Sequence, residues 1–97
     1  MNKEQFVKLP INGTLDLHSF NPRDIKHLIP DYLNECMSHG IYNVRIIHGK
    51  GKGILRKSVH SILDKLNCVE SYQTADLDSG GWGATLVTLE LESKSTI

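Results

Sequence analysis

The sequence predicts an α/β fold, a compact two-layer sandwich of two helices on a four-stranded mixed sheet in the order βαβαββ. Three observations carry that reading. Two stretches place apolar residues at helical spacing, short apolar runs flank and separate them, and only a glycine-rich loop joins the last two runs. The 97 residues make one domain, which buries roughly two-thirds of its unfolded surface.

Residues 1–13 read as a tail, 14–92 as the domain and 93–97 as a second tail. Thr14-Leu15-Asp16-Leu17-His18 alternates apolar and polar, as a short strand does. Asn21-Pro22 has the form of an N-cap followed by proline at the first helical position. Ile25, Leu28, Ile29, Tyr32, Leu33, Cys36 and Met37 then line one helical face that ends near Gly40. Pro30 removes a bond to the Lys26 carbonyl, but the stripe continues in register, which predicts one kinked helix rather than two. Val44 to His48 is a second strand, apolar enough for burial on both faces. Ile54 to Leu66 is a second helix, with Leu55, Val59, Ile62, Leu63 and Leu66 facing inward. Cys68 to Thr74 and Ala84 to Leu91 are the last two strands. This order implies right-handed crossovers and a mostly parallel sheet, with the final pair antiparallel because only a loop joins it. Ligands of such sheets bind beyond the carboxyl ends of the parallel strands. Asp16, His18, His48 and the glycines after it all fall on that rim.

Composition narrows the function. Hydrophobic residues at 39% and charged residues at 23% exclude a disordered or collagen-like chain. No apolar run approaches the roughly 20 residues of a membrane span, so no membrane role is expected. The start, MNKEQFVKLPINGT, lacks the apolar core of a secretory signal. Cys36 and Cys68 have no CxxC partner and suit a reducing, cytoplasmic setting as small buried residues. Net charge is zero, yet it is segregated. Arg45, Lys50, Lys52, Arg56 and Lys57 follow one another without an acid, and Glu70, Asp76, Asp78, Glu90 and Glu92 without a base. One end of the molecule is therefore expected to be electropositive, unless these are simply solvated charges.

Three groups of residues suggest chemistry. Asp16 and His18, two apart on a strand, would leave one face about 6.6 Å apart, close enough for an acid to polarise a histidine. The plainer alternative has Asp16 capping a turn and His18 packing at a strand end. In His48-Gly49-Lys50-Gly51-Lys52-Gly53, alternating glycines allow close backbone approach to a ligand, and the helix that follows turns its free N–H groups to the same space. Lys50, Lys52, Arg56 and Lys57 crowd positive charge at that helix start, against its dipole, which makes sense for an anion site. The segment matches neither GxxxxGK[ST] nor GxGxxG. In Gly80-Gly81-Trp82-Gly83, the tryptophan either stacks on a base or caps the core. His27, His39 and His60 lack ligand spacing and read as surface or boundary residues. Asp16, His18 and His48 could serve as a metal triad, but nothing in their spacing requires a metal.

Leu15-Asp16-Leu17-His18, His48-Gly49-Lys50-Gly51-Lys52-Gly53 and Gly80-Gly81-Trp82-Gly83-Ala84-Thr85 together resemble the three signatures of the small MutS-related (Smr) domain, over residues 14–91 or so. The resemblance implies an α/β sandwich on a four-stranded sheet and a DNA-nicking or RNA-cleaving endonuclease, some relatives acting on messenger RNA at ribosomes. By position it implies that Asp16 and His18 are the first motif's acid and histidine, that His48, Gly49, Gly51 and Gly53 match the second, and that Gly81 and Gly83 match the third. Ser19 departs from the pattern, since the family usually has glycine there. A positive φ at that position would make serine costly.

The expected function is therefore a single-domain, monomeric endonuclease, with RNA ahead of DNA as substrate. Asp16, His18 and His48 would be catalytic, and Gly49, Lys50, Gly51, Lys52, Gly53, Arg56, Lys57, Gly81, Trp82 and Gly83 would hold nucleic acid. On RNA, one of His18 and His48 would take the 2′-hydroxyl proton and the other would protonate the leaving oxygen, with no metal required. On DNA, a divalent metal near Asp16 becomes more plausible. The rival readings are a nucleic-acid-binding module without catalysis, and a binder of small anions or nucleotides.

Overall fold

The computed structural model describes residues 10–51, 53–77 and 81–91. Lys52, Asp78, Gly80 and Glu92, among the residues singled out above, lie outside that set. Four strands, β1 (Thr14–Asp16), β2 (Asn43–Ile47), β3 (Val69–Thr74) and β4 (Ala84–Leu89), and two helices, α1 (Ile25–Ser38) and α2 (Ile54–Asp64), follow the βαβαββ order.

The sheet runs β1-β2-β4-β3. β1 pairs parallel with β2, while β4 lies antiparallel to both β2 and β3. A mostly parallel sheet was expected, and one parallel pairing is found. The reason is local: the return from β3 places β4 between β2 and β3, so those two strands run the same way without touching. The expected common edge survives. Asp16 ends β1 opposite Ile47 at the end of β2, and Ala84 begins β4 opposite Ile47 as well.

The helices pack on each other and share one buried cluster with Leu15, Leu17, Val44, Ile46, Val87 and Leu89. From α1 come Ile25, Leu28, Ile29, Tyr32, Leu33 and Cys36, and from α2 Val59 and Leu63. Full burial of a leucine or isoleucine of this kind contributes about 1.5–3 kcal/mol. β2 is not buried on both faces. Val44 and Ile46 face the helices and are covered, whereas Arg45 and Ile47 point the other way and are half-buried.

α1 is one helix with Pro30 inside it. Asn21 caps the 3₁₀ turn Pro22–Asp24 that leads into it, its side chain accepting from the Arg23 N–H. Gly40, at φ +75°, turns the chain away after it. The buried Tyr32 reaches back from α1, donating to the Thr14 carbonyl (3.1 Å) and accepting from Gly13 N–H (3.2 Å), which fixes the start of β1.

β1 stops two residues earlier than expected. Leu17–Ser19 form a 3₁₀ turn, because the Asp16 carboxylate takes the His18 N–H and bends the chain out of the sheet. Among the described residues no non-glycine has a positive φ, so Ser19 sits in ordinary backbone.

Candidate functional site

Leu15 and Leu17 are core residues, and between and after them Asp16 and His18 face solvent, with side chains 57% and 65% exposed. The turn brings the two side chains together. Asp16 Oδ1 accepts from the His18 N–H at 2.9 Å and lies 2.6 Å from His18 Nδ1. Capping and polarisation, set against each other as alternatives in the sequence, are done by one carboxylate. The backbone N–H first, and then the ring hydrogen bond, hold the Asp16 carboxyl below its ordinary value. An acceptor on Nδ1 makes that nitrogen the proton carrier in neutral His18 and leaves the Nε2 lone pair free.

His18 Nε2 lies over Gly49. A Cβ added at Gly49 would stand 3.1 Å from it, and the φ of +87° disfavours any side chain there in any case. Gly83 supports the same peptide from the other side. Its carbonyl accepts from both the His48 and the Gly49 N–H at 2.9 Å, and a Cβ on Gly83 would meet Lys50 Cγ at 3.3 Å. The amides of His48 and Gly49 are therefore committed to Gly83 and are not available to an anion. Gly53, at φ +85°, begins α2 without a side-chain cap. Gly51 has nothing within 4 Å of where a Cβ would be. Its glycine is not demanded by packing.

Trp82 is 64% exposed, so it does not cap the core; the Arg56 guanidinium lies 5.0 Å from its ring centre. Arg56, Ser58, Ile54 and the loop glycines Gly49, Gly51 and Gly53 line a cleft of about 350 Å³ over His48. Lys50, between two of these glycines, is exposed. Lys57 is not part of this cleft; it lines the groove between α1 and α2 with Arg23, Lys26 and Lys65.

His48 differs from His18 in its burial and in the engagement of both its ring nitrogens. It is 5% exposed, its Nδ1 lies 3.1 Å from the Gly49 carbonyl and its Nε2 2.9 Å from Thr85 Oγ1. Burial, with Arg56 adding to it, lowers its pKa from the ordinary 6.5. With both ring nitrogens engaged and the ring covered, His48 does not join Asp16 and His18 as a ligand set. Among the described residues there is no group of three metal-binding side chains.

Sequence reasoning missed what lies behind His48. Thr85 also bonds His60 Nε2 at 2.9 Å, His60 packs on Tyr72 at 4.7 Å between ring centres, and Tyr72 donates to Asp64 Oδ1 at 2.7 Å. His60, read as a surface or boundary residue, is half-buried here. Thr85 stands 37 residues from His48 and 25 from His60, so no local spacing could have disclosed the set.

A βαβαββ sandwich of two helices on a four-stranded mixed sheet is the fold of a known class of domains. The Smr domain model matches residues 15–90, and the chain belongs to that family. It is 37% identical over 83 residues to the Endonuclease MutS2 of Halothermothrix orenii, which covers 86% of this chain and 10% of that protein. Against the Endonuclease MutS2 of Brevibacillus brevis it is 38% identical over 80 residues, 82% of this chain and again 10% of the relative. The chain thus spans about a tenth of the length of these curated relatives. The crystal structure of the Smr domain of Thermus thermophilus MutS2 superposes with a TM-score of 0.75 at 30% identity, covering 81% of this chain and 99% of that one. YdaL, a stand-alone small MutS-related protein from Escherichia coli, gives 0.76 at 30% identity over 84% of this chain and 66% of its own. No helix among the described residues is long and apolar enough to cross a membrane.

Proposed function

We propose that this chain is an endonuclease that cleaves RNA at the Asp16–His18 edge. The observation that carries the proposal is the 2.6 Å contact between Asp16 Oδ1 and His18 Nδ1, which turns the other ring nitrogen, without a hydrogen-bond partner among the described residues, toward the Gly49 turn. A phosphodiester seated on that turn would have Lys50, Arg56 and the start of α2 around its charge. His18 Nε2 would take the proton of the adjacent 2′-hydroxyl, Asp16 stabilising the imidazolium that forms. The 2′ oxygen then bonds to phosphorus and the bond to the 5′ oxygen breaks. That leaves a 2′,3′-cyclic phosphate and, once the departing oxygen is protonated, a 5′-hydroxyl. Trp82, exposed beside the cleft with Arg56 against its ring, supports a stacked base next to the scissile phosphate. His48 departs from the expected second acid or base: in this reading it supports the loop.

Relatives named as endonucleases favour cleavage over binding alone. Ser19, which stands where the family usually has glycine, has unstrained backbone and so gives no ground for preferring binding without catalysis. Labelled RNA and duplex DNA, each incubated with and without chelator, separate these readings. Cyclic-phosphate ends from RNA that persist with chelator fit the proposal; RNA that is bound and never cut defeats it.

A further inference from the structure

The Thr85 hydroxyl is fully buried and lies 2.9 Å from a ring nitrogen of each of two histidines. A hydroxyl has a single proton to give, so it can donate to only one of them. The Gly49 carbonyl decides which. It can only accept, so His48 Nδ1 must carry the proton in that 3.1 Å bond. Neutral His48 then presents a bare Nε2, to which Thr85 donates, and the Thr85 oxygen in turn accepts from His60 Nε2–H. The bonds therefore run in one direction, from His60 through Thr85 and His48 to the Gly49 carbonyl.

We infer that Thr85 and His60 are positioning residues, which hold His48 as the neutral Nδ1–H tautomer and, through it, the Gly49 peptide beneath His18. The functional part of this inference rests on the proposed role of His18; the tautomer does not. Protonating His48 would place a second donor on the Thr85 oxygen and leave its own buried O–H without an acceptor, which opposes the charged form. The charged neighbours act in the same sense at His48. Arg56 on α2 opposes a positive charge on both rings and His48 opposes one on His60, while Asp64 favours charge only on His60, whose ring also packs on Tyr72.

Nitrogen-15 NMR of the imidazole rings at neutral pH tests this directly, since it distinguishes the two tautomers of each of the five histidines. The expected result is Nδ1–H for His48 and Nε2–H for His60. His48 found as Nε2–H overturns the inference, whatever the protein does to RNA. In Thr85→Val the hydroxyl is lost at constant shape. His48 should then populate both tautomers, and RNA cleavage should fall about 10-fold in kcat with KM little changed. Thr85→Ser, which restores the hydroxyl, should recover both. Should Thr85→Val not fold, Thr85→Ser and the wild-type tautomer still decide the matter. A wild-type protein that shows the expected tautomers and cuts no RNA would defeat the proposed function and leave this inference standing.

Discussion

Two histidine assemblies flank one glycine turn, and they differ in their exposure to solvent. On the outer side, His18 and Asp16 are more than half exposed, and one ring nitrogen has no hydrogen-bond partner among the described residues. On the inner side, His48 and Thr85 are buried and both nitrogens of His48 are occupied. In the proposed reading the same residue type takes opposite roles, because burial penalises the charged ring and a proton carrier must be able to charge. A wet pair can do chemistry while a dry one keeps the frame, and Gly49 is the peptide they share.

Gly49→Ala should disturb this comparison most, because it strikes both sides together. A side chain at φ +87° costs about 1–2 kcal/mol, and the 3.1 Å approach to His18 Nε2 displaces the ring besides. Melting temperature and RNA cleavage should both fall. Gly51→Ala, with open space around it, should change stability by less than about 0.5 kcal/mol. Equal losses in the two variants, by thermal melting, would show that the turn is not the shared element.

Acid sharpens the contrast. His48 and His60 both lie below the ordinary 6.5, chiefly through burial, whereas the unfolded chain takes up protons there. Stability is therefore full above that value, falls as pH drops through it, and levels off only below the lowered folded values. His60→Gln removes one of the two groups and should flatten the fall in urea-unfolding curves. An unchanged slope would mean that His60 does not titrate differently on folding.

The smallest effect is expected at Lys50. Lys50→Ala should weaken RNA binding modestly and lower the log–log salt slope by about 0.7–0.9, one phosphate contact's worth. Lys57→Ala, in the other groove, should leave the slope unchanged if that groove does not carry RNA. Filter binding at several salt concentrations reads both.

The helices were legible because long apolar stripes at 3.6 spacing leave little choice, and Pro30 did not break the first of them. The strand pairing was less so. Nothing local to Ala84–Leu89 says that it slots between β2 and β3 rather than beside β3 alone. Asp16 and His18 could be picked out by residue type, but their contact depends on a 3₁₀ turn that alternation in Thr14–His18 conceals. The glycine segment was visible, while its hold on Gly83, a contact across the sheet, was not. His48 shows the limit most plainly: a histidine before a glycine loop reads as a site residue, and only the fold reveals that its ring turns inward to Thr85.

Substituting His18 tests the central claim most directly. Its side chain is exposed, so His18→Ala should fold and melt like the wild type and bind RNA within a few fold of it. Cleavage, followed as 2′,3′-cyclic phosphate ends on a labelled RNA, should fall by about 10²-fold or more. A His18→Ala protein that cuts at the wild-type rate would contradict the account.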